Sequence, residues 1–156
     1  MNNSLEKDNN KTFRRNATGI FTAKLGDKDL ALTEQFIESL FTYFAVGGSK
    51  RVNNIETNVQ FLMPPNPAEY NEYGPADLKV AIVIITENYA DGRFVQTRYV
   101  PIDGRVGFHY ELKDQHYLIQ GDYKFEIQNE KLPSKPGILL TGEFDLKARE
   151  YVLPRP

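Results

Sequence analysis

Apolar and polar residues alternate along most of the second half of the chain, and this period of two predicts β-strands. Each predicted strand has one apolar face and one polar face. This pattern is typical of an antiparallel sheet that packs on one side and meets water on the other. The residues predicted to share the packed faces are Val106, Phe108, Tyr110 and Leu112; Tyr117, Ile119, Gly121, Tyr123, Phe125 and Ile127; and Ile138, Leu140, Gly142, Phe144, Leu146 and Ala148.

Strand patterns also occur earlier in the chain. Residues 19–25 and 54–63 alternate well enough for strands, and residues 78–89 are apolar on both faces in their middle, which indicates a central strand. A run of short strands with turn signals between them favours a sandwich or a barrel. The sequence therefore predicts a mainly β fold, either an antiparallel β-sandwich or a partly open barrel, with one amphipathic α-helix.

The predicted helix covers about residues 30–46. Asp29 or Thr33 could cap its first turn, and Gly47 and Gly48 could end it in the left-handed conformation. An apolar stripe on a single helix is normally core, so this helix is expected to pack on the sheet or close one end of a barrel. The residues that repeat with the helical period are Phe36, Ile37, Leu40, Phe41 and Phe44.

Two Asp-Gly pairs, Asp91-Gly92 and Asp103-Gly104, lie between alternating runs twelve residues apart. Asp-Gly favours the positive φ angles of a tight hairpin turn. The repeated Asp-Gly-Arg is therefore interpreted as two hairpin turns, and not as a recognition motif.

Residues 117–127, with the sequence YLIQGDYKFEI, resemble a run that enters a late strand of immunoglobulin-like sandwiches. The matching positions are Leu118, Gly121 and Tyr123, while the Cys and Trp of antibody domains are absent. In that family the tyrosine hydroxyl bonds back to the chain at a corner. The resemblance implies a sandwich with such a corner at Tyr123, and it implies nothing about function.

The length of 156 residues predicts one domain. Residues 1–17 are polar and mildly basic, so we expect a flexible N-terminal arm followed by a single β-rich domain over residues 18–150. Residues 64–77 contain four prolines and are expected to form a long irregular loop. Residues 151–156 are expected to form an extended C-terminal tail.

The composition excludes several kinds of chemistry. There is no Cys, and the two histidines, His109 and His116, would need Glu111 or Asp114 as a third ligand to hold a metal. The sequence contains no Gly-x-Ser-x-Gly elbow. Gly47 to Lys50 follows the predicted helix, so it does not fit a phosphate loop. We expect no catalytic residues, no cofactor and no metal, and the chain is predicted not to be an enzyme.

Two binding functions remain as alternatives. Basic and aromatic residues are interleaved between Arg93 and Phe125, as on a sheet that stacks single-stranded nucleic acid. However, most of these aromatics share faces with aliphatic residues, and the net charge is −2, so nucleic acid is not the expected partner. A β-barrel that binds a small ligand is the other alternative, because inward Tyr and Phe side chains could line a pocket.

The function predicted from the sequence is a structural or interaction module that assembles with protein partners, as a homo-oligomer or in a multi-subunit virion, tail or secretion-type machine. The longest apolar run, residues 80–85, is too short to span a membrane, and a cytoplasmic location is expected. The basic arm is predicted to dock on an acidic face of a neighbour around Asp122, Glu126, Glu143 and Asp145. The predicted partner-binding residues are Lys11, Arg14, Arg15, Tyr70 and Tyr73.

Overall fold

The computed structural model describes residues 14–78 and 80–150. Within these ranges the chain forms twelve strands and a single 3₁₀ turn, Pro75–Asp77, without an α-helix. The strands are β1 (Arg14–Asn16), β2 (Thr18–Phe21), β3 (Lys24–Leu25), β4 (Lys28–Asp29), β5 (Glu34–Ser39), β6 (Phe44–Val52), β7 (Ile55–Met63), β8 (Tyr70–Tyr73), β9 (Val83–Asn88), β10 (Phe94–Lys113), β11 (His116–Asn129) and β12 (Ile138–Arg149).

All twelve strands belong to one open antiparallel sheet, which confirms the prediction of a mainly β fold. Its centre is a meander in the order β5-β6-β7-β9-β10-β11-β12. Strands β8 and β9 lie one after the other along the same edge of the long strand β10, since β9 pairs with Phe94–Tyr99 and β8 pairs with Val106–His109. The sheet is therefore organised around β10, with β11 on its other side.

Strands β1 and β2 link the two sides of the sheet. β1 pairs with β5, and β2, which follows directly, pairs with β12. Ala17 lies between them; it is buried, and its N–H donates to the Gln35 carbonyl at 3.0 Å. Within the segment predicted as an arm, Arg14–Asn16 therefore form a strand of the sheet. Residues 1–13 and the predicted tail, residues 151–156, lie outside the described residues.

The predicted helix over residues 30–46 is wrong, because this segment forms β5 and the beginning of β6. Phe36 and Ile37 are both buried, on opposite faces of β5. Ile37 faces the core, whereas the ring of Phe36 lies over Gly47 on the neighbouring strand. Phe41, which the helical pattern placed in the core, is 97% exposed in the turn between the strands. The apolar residues of β5, of the turn and of the start of β6 thus have the same spacing along the sequence as the residues on one face of a helix.

Gly47 and Gly48 do not end a helix but lie inside β6. A Cβ added to Gly47 would stand 2.4 Å from the Val59 carbonyl oxygen, so only glycine fits beside the Phe36 ring. The carboxylate of Asp29, predicted as a helix cap, instead accepts the N–H of Ala31 at 2.8 Å in a local turn.

Of the two Asp-Gly pairs, one forms the predicted turn and the other does not. Asp91-Gly92 connects β9 to β10, and Gly92 has a φ of 88°. Asp103-Gly104 lies inside β10, where the pairing with β11 shifts by one residue between Pro101 and Asp103. The second pair is therefore a β-bulge, in which Ile102 is the extra residue and Gly104 has a φ of 116°.

The predicted irregular loop over residues 64–77 contains regular structure after its first prolines. Tyr70–Tyr73 forms β8, and Pro75–Asp77 forms the 3₁₀ turn. The buried side chain of Asn71 fixes the preceding segment, because it accepts the N–H of Ala68 and donates to the carbonyl of the same residue. Prolines have no backbone N–H to donate, and side-chain hydrogen bonds of this kind hold the backbone of such a segment in place.

The core lies on the concave side of the sheet and is rich in phenylalanine. The faces predicted from alternation are confirmed for β11 and β12, except that Ile138 is exposed at the start of β12. The face predicted for residues 106–112 of β10 is buried at Val106 and Phe108, whereas Leu112 is exposed near the end of that strand. Stacked rings join distant strands, as in the pair Phe21 and Phe144, whose centroids are 5.7 Å apart. The largest fully buried aromatic side chains are Phe44, Phe61, Phe108, Phe125 and Phe144.

Tyr123 is buried as predicted, but its hydroxyl does not form the local corner that the immunoglobulin resemblance implies. It donates to the carbonyl of Thr22 at 2.6 Å, 101 residues away in sequence. Its ring lies 4.7 Å from that of Phe61 and covers Gly142 on β12. Tyr123 thus ties β11 to the segment that follows β2.

Candidate interaction surface

Two of the three predicted basic residues lie in the first strand of the sheet. Arg14 and Arg15 belong to β1, and their backbones pair with Glu38 and Ile37 of β5. Lys11 lies outside the described residues. Arg14 and Arg15 are therefore part of a strand.

The two predicted tyrosines have different environments, although both lie in β8. Tyr70 is 52% exposed, and its ring lies 5.0 Å from that of His109 on the outer face of the sheet. Tyr73 points inward: its ring lies 6.2 Å from Phe108 and its hydroxyl donates to Asn71 at 3.2 Å. Burial, and secondarily the negative charge of Asp77, raises the pKa of Tyr73. Of the two tyrosines, Tyr70 is therefore the more exposed.

A larger apolar surface, which the sequence did not predict, lies at the far ends of two hairpins. The β6–β7 and β9–β10 hairpins continue beyond the core and are paired with each other, for example through Ile55 and Glu87. The Asn88 N–H also donates to the Asn54 carbonyl at 2.9 Å. We call this surface the hairpin end, and its exposed apolar residues are Val52, Ile55, Tyr89, Phe94 and Val95.

The concave face of the hairpin end continues the core without being covered by it. Along β7, Val59 is fully buried, whereas Ile55, four residues earlier on the same face, is exposed. Val52 lies opposite Ile55, and Val95 lies in the same cross-strand row, with Glu87 between Ile55 and Val95. Val52 and Val95 are 56% and 52% exposed. Apolar side chains clustered on adjacent strands and left in water make this face a candidate interaction surface.

The tip of the β9–β10 hairpin is held in a defined conformation. The Tyr89 N–H donates to the Arg93 carbonyl at 2.8 Å, and the Arg93 Nε lies 2.6 Å from Asp91 Oδ2. The Arg93 guanidinium also lies 5.6 Å from the centre of the Tyr89 ring. These contacts present Phe94, which is 61% exposed, on a fixed backbone.

A second exposed aromatic lies at the opposite end of the sheet. Phe41 is at the tip of the β5–β6 hairpin, where the Leu40 N–H donates to the Tyr43 carbonyl at 2.9 Å. Near this end, the ring of Phe44 lies 5.5 Å from that of Tyr110. A single exposed phenylalanine is a smaller feature than the hairpin end, and we treat it as a secondary contact.

The outer face of the sheet carries mixed charge with an acidic area. Asp122 and Glu143 lie directly opposite each other on β11 and β12 and are both exposed. Arg105 offsets part of this charge, because its Nη1 lies 3.5 Å from Asp122 and its Nε lies 3.9 Å from Glu72. Exposed like charges directly opposite each other disfavour the isolated sheet slightly, so a cationic partner would be favoured here.

The metal hypothesis for the two histidines gains no support from the structure. His109 lines an open outer groove of about 740 Å³ together with Glu69, Glu111 and Asp145. The Nδ1 of His116 lies 2.8 Å from the carbonyl of Asp114, in the turn between β10 and β11. Within the described ranges, no group of three His, Cys, Asp or Glu side chains is arranged to bind a metal.

Strand alternation alone could not reveal the hairpin end. The sequence does not show where along a strand the core ends. A useful signal would have been the position of Asp91-Gly92, because a turn there makes β9 and β10 extend past the first residue that can pair with β11, Tyr99.

No protein-family model, curated protein or solved structure matches this chain. Among residues 14–78 and 80–150 there is also no helix with the length and apolar character needed to cross a bilayer. The functional interpretation therefore depends on the surface geometry.

Proposed function

We propose that this chain is a non-enzymatic structural module that assembles with protein subunits into a larger complex. The observation that carries the proposal is the hairpin end, where the apolar concave face continues past the core into water. Burying one Val, Ile or Phe side chain contributes about 1.5–3 kcal/mol. Covering the half-exposed Val52, Ile55 and Val95 of this face would therefore contribute a few kcal/mol toward an interface.

The fold supports this proposal over a ligand-binding barrel. We infer that the sheet is a partly open barrel, and not a two-layer sandwich, because β1 and β2 connect β5 to β12. Its interior positions are occupied by fully buried phenylalanine rings, for example Phe61 and Phe125 with centroids 5.8 Å apart. An interior filled with side chains favours a structural role for the barrel over a ligand cavity.

The charges also disfavour the nucleic-acid alternative. Three arginines of the interleaved region have carboxylate neighbours: Arg93 with Asp91, Arg98 with Glu130 and Arg105 with Asp122. The aromatics Phe108, Tyr123 and Phe125 are buried in the core. A platform for single strands needs exposed rings and excess positive charge, so we infer that nucleic acid is not the partner.

The proposal is consistent with a part in a virion, a tail or a secretion machine, and with a cytoplasmic location. These two assignments stay predictions. The assignment to such an assembly requires that a neighbouring subunit covers the hairpin end.

The test is the mass of the protein in solution. Multi-angle light scattering across a concentration series, and the particle size in extract of the native source, should both exceed the monomer. The double variant Ile55→Asn with Val95→Asn should shift this distribution toward the monomer without lowering Tm by more than a few degrees. Leu112→Asn is the matched control, because Leu112 is an exposed apolar strand residue away from the hairpin end.

Monomeric protein at every concentration, together with a monomer-sized particle in native extract, would show that the assembly proposal is wrong. Equal loss of association in the Leu112 control would show that the effect is not specific to the hairpin end.

A further inference from the structure

We propose that two copies of this chain associate by antiparallel pairing of the free edge of β10, residues 94–97, across a two-fold axis centred on Val95. The proposal rests on the assembly function proposed above and names a second copy as the partner that covers the hairpin end. It is carried by the backbone geometry of β10 and by the chemistry of the two edges at this end.

The backbone of β10 is paired on one side only at its beginning. Phe94–Tyr99 pairs with β9, whereas the pairing with β11 begins at Tyr99. Residues 94–97 therefore form an edge strand at the hairpin end. An edge strand exposes a row of backbone donors and acceptors that can pair with another chain.

The direction of each backbone group can be read from the hydrogen bonds. Arg93 and Tyr99 direct their carbonyls toward β9, because these accept the N–H groups of Tyr89 and Ile82 at 2.8 Å and 2.9 Å. Since direction alternates along a strand, the N–H and C=O of Phe94 and Gln96 point away from β9. Within the described residues, these four groups have no backbone partner.

The free edge of β10 lacks the features that prevent pairing. Its residues are Phe94, Val95, Gln96 and Thr97, without a charge or a proline. The opposite edge of the hairpin end, the part of β6 beyond its pairing with β5, carries Lys50 and Arg51. Charged residues, lysine above all, protect sheet edges from unwanted pairing, so the two edges differ in the way expected if only β10 pairs.

One register satisfies all the outward groups of both copies. If Phe94 pairs with Gln96 of the second copy, and Gln96 with its Phe94, the outward N–H and C=O groups of both residues are used. Val95 then lies opposite its own copy on the concave face. Shifting the register by one pair in either direction would require Gly92, whose φ is 88°, or the carbonyl of Arg98, which already accepts the N–H of Glu130.

The charges at the edge are compatible with this register. Arg98 would lie opposite Gly92 of the second copy and next to its exposed Asp91 carboxylate, and Arg93 would lie opposite Thr97. No like charges are placed directly opposite each other. Each copy also adds Val95 to the concave row of the other, so edge pairing and apolar burial occur together in an isologous interface.

The register can be tested by cross-linking, because the chain contains no native cysteine. In the proposed dimer, Val95 forms a non-hydrogen-bonded pair with its copy, for which the Cα atoms lie about 4.5 Å apart. This distance is suitable for a disulfide. Val95→Cys should therefore form a covalent dimer on air oxidation, at protein concentrations where Gln96→Cys and Leu112→Cys remain largely monomeric.

The edge bonds can be tested with proline. Gln96→Pro removes an N–H that points away from β9, so the ladder within the chain is kept. We expect the dimer dissociation constant to rise at least tenfold in sedimentation equilibrium, with Tm nearly unchanged. Gln96→Thr, which keeps the N–H, is the matched control and should dimerise like the parent.

The outcomes of these experiments distinguish edge pairing of β10 from the general proposal that the chain assembles with protein subunits. Efficient cross-linking of Val95→Cys with loss of the dimer in Gln96→Pro supports edge pairing. A dimer that persists in Gln96→Pro, and that cross-links no better at Val95 than at the control positions, overturns edge pairing while leaving assembly intact. A protein that is monomeric when pure but part of a larger particle in extract would also overturn edge pairing and leave the assembly proposal intact.

Discussion

Tyr123 joins parts of the core that lie far apart in the sequence. Its ring contacts Phe61 and covers Gly142, and its hydroxyl donates to the Thr22 carbonyl. Burial raises its pKa strongly, which is expected for a phenol whose proton is committed to a hydrogen bond inside the core. The side chain therefore contributes both packing and a long-range polar contact.

We expect Tyr123→Ala to lower the free energy of unfolding by about 3–5 kcal/mol, because it removes a buried aromatic. Tyr123→Phe should cost about 1 kcal/mol, since it leaves the Thr22 carbonyl without this donor. Urea titrations give both values. Tyr89→Phe, at an exposed site, is the control. A cost for Tyr123→Ala below about 1 kcal/mol would contradict the buried position.

Tyr110 gives stability a dependence on alkaline pH. Burial, and then the neighbouring Tyr117 and Glu150, raises its pKa from 10.0 to about 12 in the folded protein. The unfolded chain therefore loses this proton first. Its contribution to stability should be complete below pH 10 and should be lost as pH rises toward about 12.

The measurement is the urea midpoint at a series of pH values across this window. Tyr110→Phe cannot ionise, so its stability should fall less steeply with pH than that of the parent, although the raised pKa of Tyr123 leaves part of the slope. Equal slopes in the two proteins would show that Tyr110 ionises normally.

At the scale of elements, Asp-Gly takes two conformations that depend on the surrounding strands. In Asp91-Gly92 the chain reverses, whereas in Asp103-Gly104 it continues along β11 with one extra residue. The bulge falls between the part of β10 that pairs with β9 and the part that pairs with β8. It therefore marks the point at which β10 changes its neighbour.

Gly104→Ala should destabilise the fold by about 1–3 kcal/mol, the cost of a residue held in strained backbone geometry. Its φ is 116°, and an added Cβ would stand 2.1 Å from the Lys124 carbonyl oxygen. Gly92→Ala is the matched control, because it has a positive φ but no atom within 4 Å of the added Cβ. Thermal unfolding of both variants should show the larger loss for Gly104→Ala.

The elements also show what the sequence could predict. The period of two identified β11 and β12 and their packed faces, because each of these strands has one face on the core and one in water. It did not work for β5, where Phe36 is buried on the outer face against Gly47. Burial on both faces removes the alternation, and the resulting Phe36-Ile37 pair imitated a helix. The sequence also did not show that Tyr73 lies against Phe108, because the proline-rich segment returns to the sheet as β8.

For the whole molecule, the segment Arg14–Phe21 is the connection between the two sides of the sheet. Removing residues 1–17 should lower Tm by roughly 5 °C or more relative to removing residues 1–13, because only the longer deletion takes away β1 and Ala17. The shorter deletion serves as the control for any effect of residues 1–13. Equal Tm values for the two truncations would contradict a structural role for β1.

The same connection has a consequence for folding during synthesis, because it pairs strands from the two ends of the described chain. Thr22 bonds to Glu143, 121 residues later, so β2 is translated long before β12, its neighbour in the sheet. At about 5–20 residues per second, the ribosome needs roughly 6–24 s to supply that neighbour. During this interval Phe21 lacks Phe144, its stacking partner on β12, and the nascent chain cannot finish its core. The core can therefore be completed only after β12 has been translated.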